Sequence, residues 1–67
     1  MTLKELRESK FLTQIQVAAS LQVAVATVSN WERGVQTPRL RQMVELAELF
    51  GVTPEQIRTA AENSKQS

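Results

Sequence analysis

Residues 21–34 read LQVAVATVSNWERG. A run of small aliphatic residues, Val23-Ala24-Val25-Ala26, stands directly beside the polar set Thr27, Ser29 and Asn30. Such a run suits a buried strand, the middle of a core helix, or the tip of a helix that touches something outside the protein. The sequence on either side decides between them.

That sequence is punctuated by helix starts. Thr2 is followed three residues later by Glu5, and Thr13 by Gln16, the spacing of a capping box. Thr37-Pro38 and Thr53-Pro54 each place a capping residue before a proline at the first helical position. Gln56 completes a box with Thr53. Apolar residues recur at helical steps after each start: Leu3 and Leu6; Val17, Ala18 and Leu21; Leu40, Met43, Val44, Ala47 and Phe50; then Ile57. Gly51 suits a left-handed stop. These signals predict helices near 2–10, 13–21, 25–32, 38–50 and 54–62. The tail ENSKQS is polar and is expected to fray, so the domain is bounded at 1–62 with a frayed tail at 63–67. Alternation of strand type is sustained nowhere, and the expected fold is an all-α compact domain.

Helices 13–21 and 25–32 are joined by only three residues. Helices joined so tightly cross at a steep angle, as in a helix-turn-helix. On the second helix Val28 and Trp31 share a face, and Leu21 and Val23 approach from the turn; these four are expected to pack inward. The opposite face then carries Ala26, Ser29, Asn30 and Arg33, flanked by Val25 and Thr27. A solvated helix face normally carries Glu and Lys. This one carries short side chains, which let a helix approach another surface closely.

Composition narrows the chemistry. The 67 residues contain no cysteine and no histidine, so disulfides, thiolate metal sites and the commonest general base are excluded. Acidic residues are not clustered, no nucleophile–base constellation can be assembled, and an enzyme is the least favoured class. No metal or cofactor is expected. No apolar run reaches the length of a membrane span, and the first residues lack a signal-peptide core, so a cytoplasmic location is expected. The net charge of +1 is unevenly spread. Lys10, Arg33, Arg39 and Arg41 against Glu32 make residues 10–44 basic by +3. Residues 45–67 are acidic by −2. One side of the molecule is thereby suited to an anion.

Leu6-Arg7, Leu12-Thr13-Gln14, Val17-Ala18, Leu21, Val23, Val28-Ser29, Trp31-Glu32, Gly34, Pro38, Leu40 and the run AELFGV at 47–52 together resemble the lambda-repressor/Cro-like (XRE-type) helix-turn-helix family. The resemblance runs from Leu3 to Ile57. It implies a five-helix DNA-binding domain and a sequence-specific transcriptional regulator, with repression as the expected sign. A bacterial nucleoid-associated, phage or plasmid origin would fit. There are departures. Gln22 stands in the turn where the family usually has Gly, and Ala24 stands where it usually has a Ser or Thr cap. Each costs about 1 kcal/mol. Phe11 also occupies a position where Gly is frequent. It either lies as a lid over the first helix or forms a partly exposed contact.

The resemblance implies that helix 25–32 enters the major groove while helix 13–21 crosses the backbone. Val25 and Ala26 would meet thymine methyls, and Thr27 and Asn30 would hydrogen-bond to bases, Asn with adenine being a common pairing. With two of these four side chains unable to hydrogen-bond, direct readout should be thin and DNA shape should contribute. Gln14, Ser29, Arg33, Arg39 and Arg41 are the phosphate candidates. For Gln14 the alternative is a solvated helix start, and for Arg41 an i,i+4 pair with Glu45. Lys10 is a weaker candidate. Arg7 and Glu32 are implied to form a partly buried ion pair that orients the first helix against the third. Trp31 is expected in the core. The partners expected are double-stranded DNA and a second copy, since relatives bind paired half-sites as symmetric dimers. Leu49, Ile57 and Ala60 are candidates for that dimer surface. A protein-interaction module that has drifted from DNA, and an antitoxin that also binds a toxin, are the rival readings.

Overall fold

The computed structural model of the protein describes residues 1–65. It has five helices: α1 (Leu3–Ser9), α2 (Gln14–Leu21), α3 (Val25–Glu32), α4 (Leu40–Phe50) and α5 (Pro54–Lys65). No strand occurs among the described residues, and the fold is the all-α one that the sequence implies.

Local chemistry sets three of the five helix starts. The Thr2 hydroxyl accepts from the Glu5 N–H at 3.2 Å, and the Glu5 carboxylate accepts from the Thr2 N–H at 2.8 Å. Thr13 and Gln16 close the same box at 3.1 and 2.8 Å, and Thr53 and Gln56 at 3.1 and 2.9 Å. Each box satisfies two donors that a helix start otherwise leaves orphaned.

The α4 start differs from its sequence expectation. Thr37 and Pro38 lie in the loop, and the helix begins at Leu40 with Arg39 as its cap. The reason is the closing residue. A box on Thr37 would need Glu or Gln at position 40, which is Leu. Gln42 lies three beyond Arg39, and its side-chain oxygen accepts the Arg39 N–H at 2.9 Å. Arginine has no acceptor to return, so this cap is half made.

At their C-termini α2 and α4 stop on left-handed residues, Gln22 (φ 58°) and Gly51 (φ 70°). Beyond each, an N–H reaches back to close the turn: Val23 to the Ala18 carbonyl and Val52 to the Ala47 carbonyl, both at 3.0 Å. This is the Schellman arrangement. Gln22 performs it without the freedom of glycine.

The core joins Leu3 and Leu6 of α1, Val17 and Leu21 of α2, Val28 and Trp31 of α3, Leu46 and Phe50 of α4, and Ile57 and Ala61 of α5. Val23 is only half-buried. On α4 the buried stripe is Met43, Leu46, Ala47 and Phe50; Leu40, at the first helical position, is 75% exposed, and Val44 is also exposed. Ile57 and Ala60 are fully buried, so these two of the three expected dimer-surface residues belong to the interior, while Leu49 packs half-buried against the core with part of its side chain still at the surface. Phe11 is no lid: it is 93% exposed and sits at φ 57°.

The C-terminal end also departs from expectation. α5 continues through Lys65, and Ser64 is completely buried. Its hydroxyl accepts the Leu3 N–H at 3.1 Å and donates to the Ala60 carbonyl at 2.9 Å. Asn63 donates to the Met1 carbonyl at 3.0 Å. Asn63 and Ser64 therefore lock α5 onto the start of α1; the end of the expected tail, 66–67, lies outside the described residues.

Candidate nucleic-acid interface

α3 buries Val28 and Trp31 and turns its other side outward. Val25, Ala26 and Arg33 are exposed there, and Thr27, Ser29 and Asn30 are half-exposed. Ala24 is the cap and provides no side-chain hydrogen bond; its backbone carbonyl accepts the Thr27 N–H at 3.0 Å. The helix that presents the shortest outward side chains is also the least firmly started.

Asn30 is the best-held residue on this face. Its side-chain oxygen accepts from Arg33 Nη2 at 2.6 Å, and its Nδ2 donates to the Gln36 side-chain oxygen at 3.2 Å. Its backbone carbonyl accepts the N–H groups of Val35 and Gln36 at 2.9 and 3.2 Å.

Behind the face lies the ion pair. Arg7 Nε donates to Glu32 Oε2 at 2.6 Å and Nη2 to Oε1 at 3.2 Å, while Nη1 donates to the Leu12 carbonyl at 2.9 Å. Gln14 adds a donor to Glu32 Oε1 at 2.9 Å. The two charged side chains are only 12% and 7% exposed. Hydrogen bonding to Glu32 pushes the Arg7 guanidinium up from its ordinary value, more than burial pulls it down. Arg7 therefore stays charged, and Glu32 becomes the node at which α1, the start of α2 and the end of α3 meet. The fork geometry of the guanidinium makes lysine a poor substitute here.

The phosphate candidates fall into two groups. Gln14, Ser29 and Arg33 line an open cleft of about 370 Å³, together with Glu32 and Lys4. Lys4 was not singled out from the sequence, although it lies three residues before Arg7 and so shares its side of α1. Arg39 and Arg41 line a second cleft of about 290 Å³ between the end of α2 and the start of α4, with Gln22, Gln42 and Glu45. Arg41 and Glu45 share that cleft, yet no ion pair joins them among the described residues. Lys10 is exposed beside the α1–α2 turn and lines neither cleft.

Residues 3–57 match the model of a helix-turn-helix family. The chain belongs to the XRE-type helix-turn-helix family, a family of DNA-binding transcriptional regulators. It is 33% identical over 60 residues to the HTH-type transcriptional activator BcrR of Enterococcus faecalis. The alignment takes in 90% of this chain but only 29% of that relative. No solved structure matches the chain significantly. Among the described residues no helix is long and apolar enough to cross a membrane.

Proposed function

We propose that this protein is a sequence-specific DNA-binding regulator of transcription that lays α3 in the major groove. The carrying observation is the outward face of α3, where Val25, Ala26 and Ser29 stand exposed or half-exposed with no long acidic side chain among them. Lys4, Gln14 and Arg33 on one cleft and Arg39 and Arg41 on the other are the groups that would hold phosphates on either side. Val25 and Ala26 would pack on thymine methyls, with Thr27 and Asn30 supplying hydrogen bonds. The ion pair of Arg7 and Glu32 would fix the angle of α3 to the backbone-crossing α2, a role of orientation rather than net stability.

A single module of this size makes too few contacts for tight binding, so we place it on DNA as a homodimer over two half-sites. Its place of action would be the cytoplasm. Occupancy of a promoter suffices for repression, whereas activation of the kind in the relative's name needs a contact with the transcription machinery as well. The exposed Phe11 and Ile15 favour a second reading, a protein-binding module. No catalytic activity is assigned to the chain.

Titration of a labelled duplex at rising salt separates the two. DNA binding through several phosphates should weaken by orders of magnitude between low and moderate salt. Affinity that stays flat with salt would reject the DNA reading. Within it, Arg39→Ala should weaken all sequences alike, and Asn30→Ala should relax the preference at one base pair.

A further inference from the structure

We infer that the base-reading surface does not end with α3: Gln36, in the following loop, reads a base pair of its own beside the one met by Asn30. This rests on the DNA-binding reading above and adds to it a specificity residue outside the recognition helix.

The backbone puts Gln36 there. After Glu32 the chain turns at Gly34, which sits at φ +75°. The N–H groups of Val35 and Gln36 then both return to the carbonyl of Asn30, so the loop folds against α3 instead of leaving it. α5 blocks the inner side. A Cβ on Gly34 would lie 2.7 Å from the Cα of Lys65 and 2.8 Å from the carbonyl oxygen of Ser64. The loop is thus pinned in front by Asn30 and backed by the end of α5.

The side chains then form a row, Arg33 to Asn30 to Gln36. Both hydrogen bonds fix the Asn30 amide the same way round, with its oxygen towards Arg33 and its nitrogen towards Gln36. Asn30 keeps one acceptor lone pair and one N–H, which is the complement of adenine N6 and N7. Gln36 uses only its oxygen, once, and keeps both N–H donors. A donor pair suits a base edge of acceptors, which in the major groove means guanine N7 and O6 or thymine O4. Val25 and Ala26 have no hydrogen-bonding side chains, so this row holds much of the polar reading capacity on this side of α3. Gln36 is itself exposed, which a purely supporting residue would not require.

The test is selection of bound duplexes from a randomised pool by the wild type and by Asn30→Ala, Gln36→Ala and Gln36→Glu. Gln36→Glu is the decisive variant. It keeps an oxygen for Asn30 but replaces both donors by an acceptor. If Gln36 reads a base pair, Gln36→Ala loses about fivefold or more of preference at a position that Asn30→Ala leaves intact. At that same position Gln36→Glu turns the preference from guanine or thymine to cytosine or adenine. If the Gln36 variants select the wild-type sequence, or change only the position that Asn30→Ala changes, Gln36 merely supports Asn30 and the inference is overturned. Salt-dependent binding without any enriched sequence would overturn the inference and leave DNA binding standing; no binding at all would remove both. Thermal melts of each variant verify that the fold is retained, as expected for an exposed loop residue.

Discussion

α1, α2 and α5 each begin with a threonine and a reciprocal partner three residues on, while α3 begins with Ala24 and no side-chain cap. The contrast is one of purpose. The first three starts are fastened locally, each box worth on the order of 1 kcal/mol. α3 is held instead from its far end, through Glu32, Trp31 and the loop pinned to Asn30. A helix whose leading turn must approach another surface gains from small residues there, and a domain can accept that weakness if the trailing turn is anchored.

The largest effect should come from breaking that anchor. Glu32→Ala leaves the Arg7 guanidinium nearly buried with no carboxylate, and should cost about 3 kcal/mol in a denaturant melt. The double variant Arg7→Met with Glu32→Leu should recover much of that stability while duplex affinity stays low. Recovery of both together would mean that the pair does not orient α3.

Next in size is the backing of the loop. Gly34→Ala meets left-handed strain and two backbone atoms closer than a Cβ tolerates, so a loss of about 2 kcal/mol or more is expected. Ser64→Ala strands the buried Leu3 N–H and should cost about 1–3 kcal/mol. Should Ser64→Ala melt like the wild type, α5 is not the lock on α1 that its hydrogen bonds describe.

These two sites also show where reading the sequence stops. The boxes at Thr2, Thr13 and Thr53 are legible because both partners lie within four residues, whereas the left-handed turn at Gln22 came through the family resemblance, which places Gly there. The Ser64–Leu3 bond spans 61 residues, and no local pattern distinguishes that serine from a fraying tail. Thr37-Pro38 carried a real local signal that lost to Gln42, three beyond Arg39. Ile57 and Ala60 looked surplus to a surface because helical periodicity gives a face but not what covers it. On the α3 face the short outward side chains were visible in the sequence, whereas the roles of Arg7 and Glu32 came through family resemblance. Lys4 and Gln36 were missed for opposite reasons. Lys4 shares a helix side with Arg7 and could have been found; Gln36 depends on a chain reversal at Gly34 that spacing alone does not fix.

A smaller effect tests the cap contrast directly. Thr13→Ala should cost about 1 kcal/mol, and Ala24→Ser should return about 0.5–1 kcal/mol by giving α3 the cap it lacks. If the small tip exists to approach DNA, Ala24→Ser will raise the melting point without a matching rise in duplex affinity. A parallel rise in both would show that loose seating, not shape, limits binding.

The smallest effect separates the three boxes from one another. Those of α2 and α5 are closed by glutamine, and only α1 uses a carboxylate, Glu5. The backbone N–H and then the hydroxyl of Thr2 hold that carboxyl below its ordinary value. A carboxyl depressed in the folded state contributes stability that is present above its unfolded value and lost as pH falls through the folded one. The α1 box should therefore loosen only under acid conditions below the ordinary glutamate range. The Thr2 amide resonance should titrate there, and the Thr13 and Thr53 amides should not follow it. Glu5→Gln should abolish the Thr2 titration while leaving the helix capped, since glutamine closes the same box. If the Thr2 amide still moved with acid in that variant, the carboxylate would not be its partner.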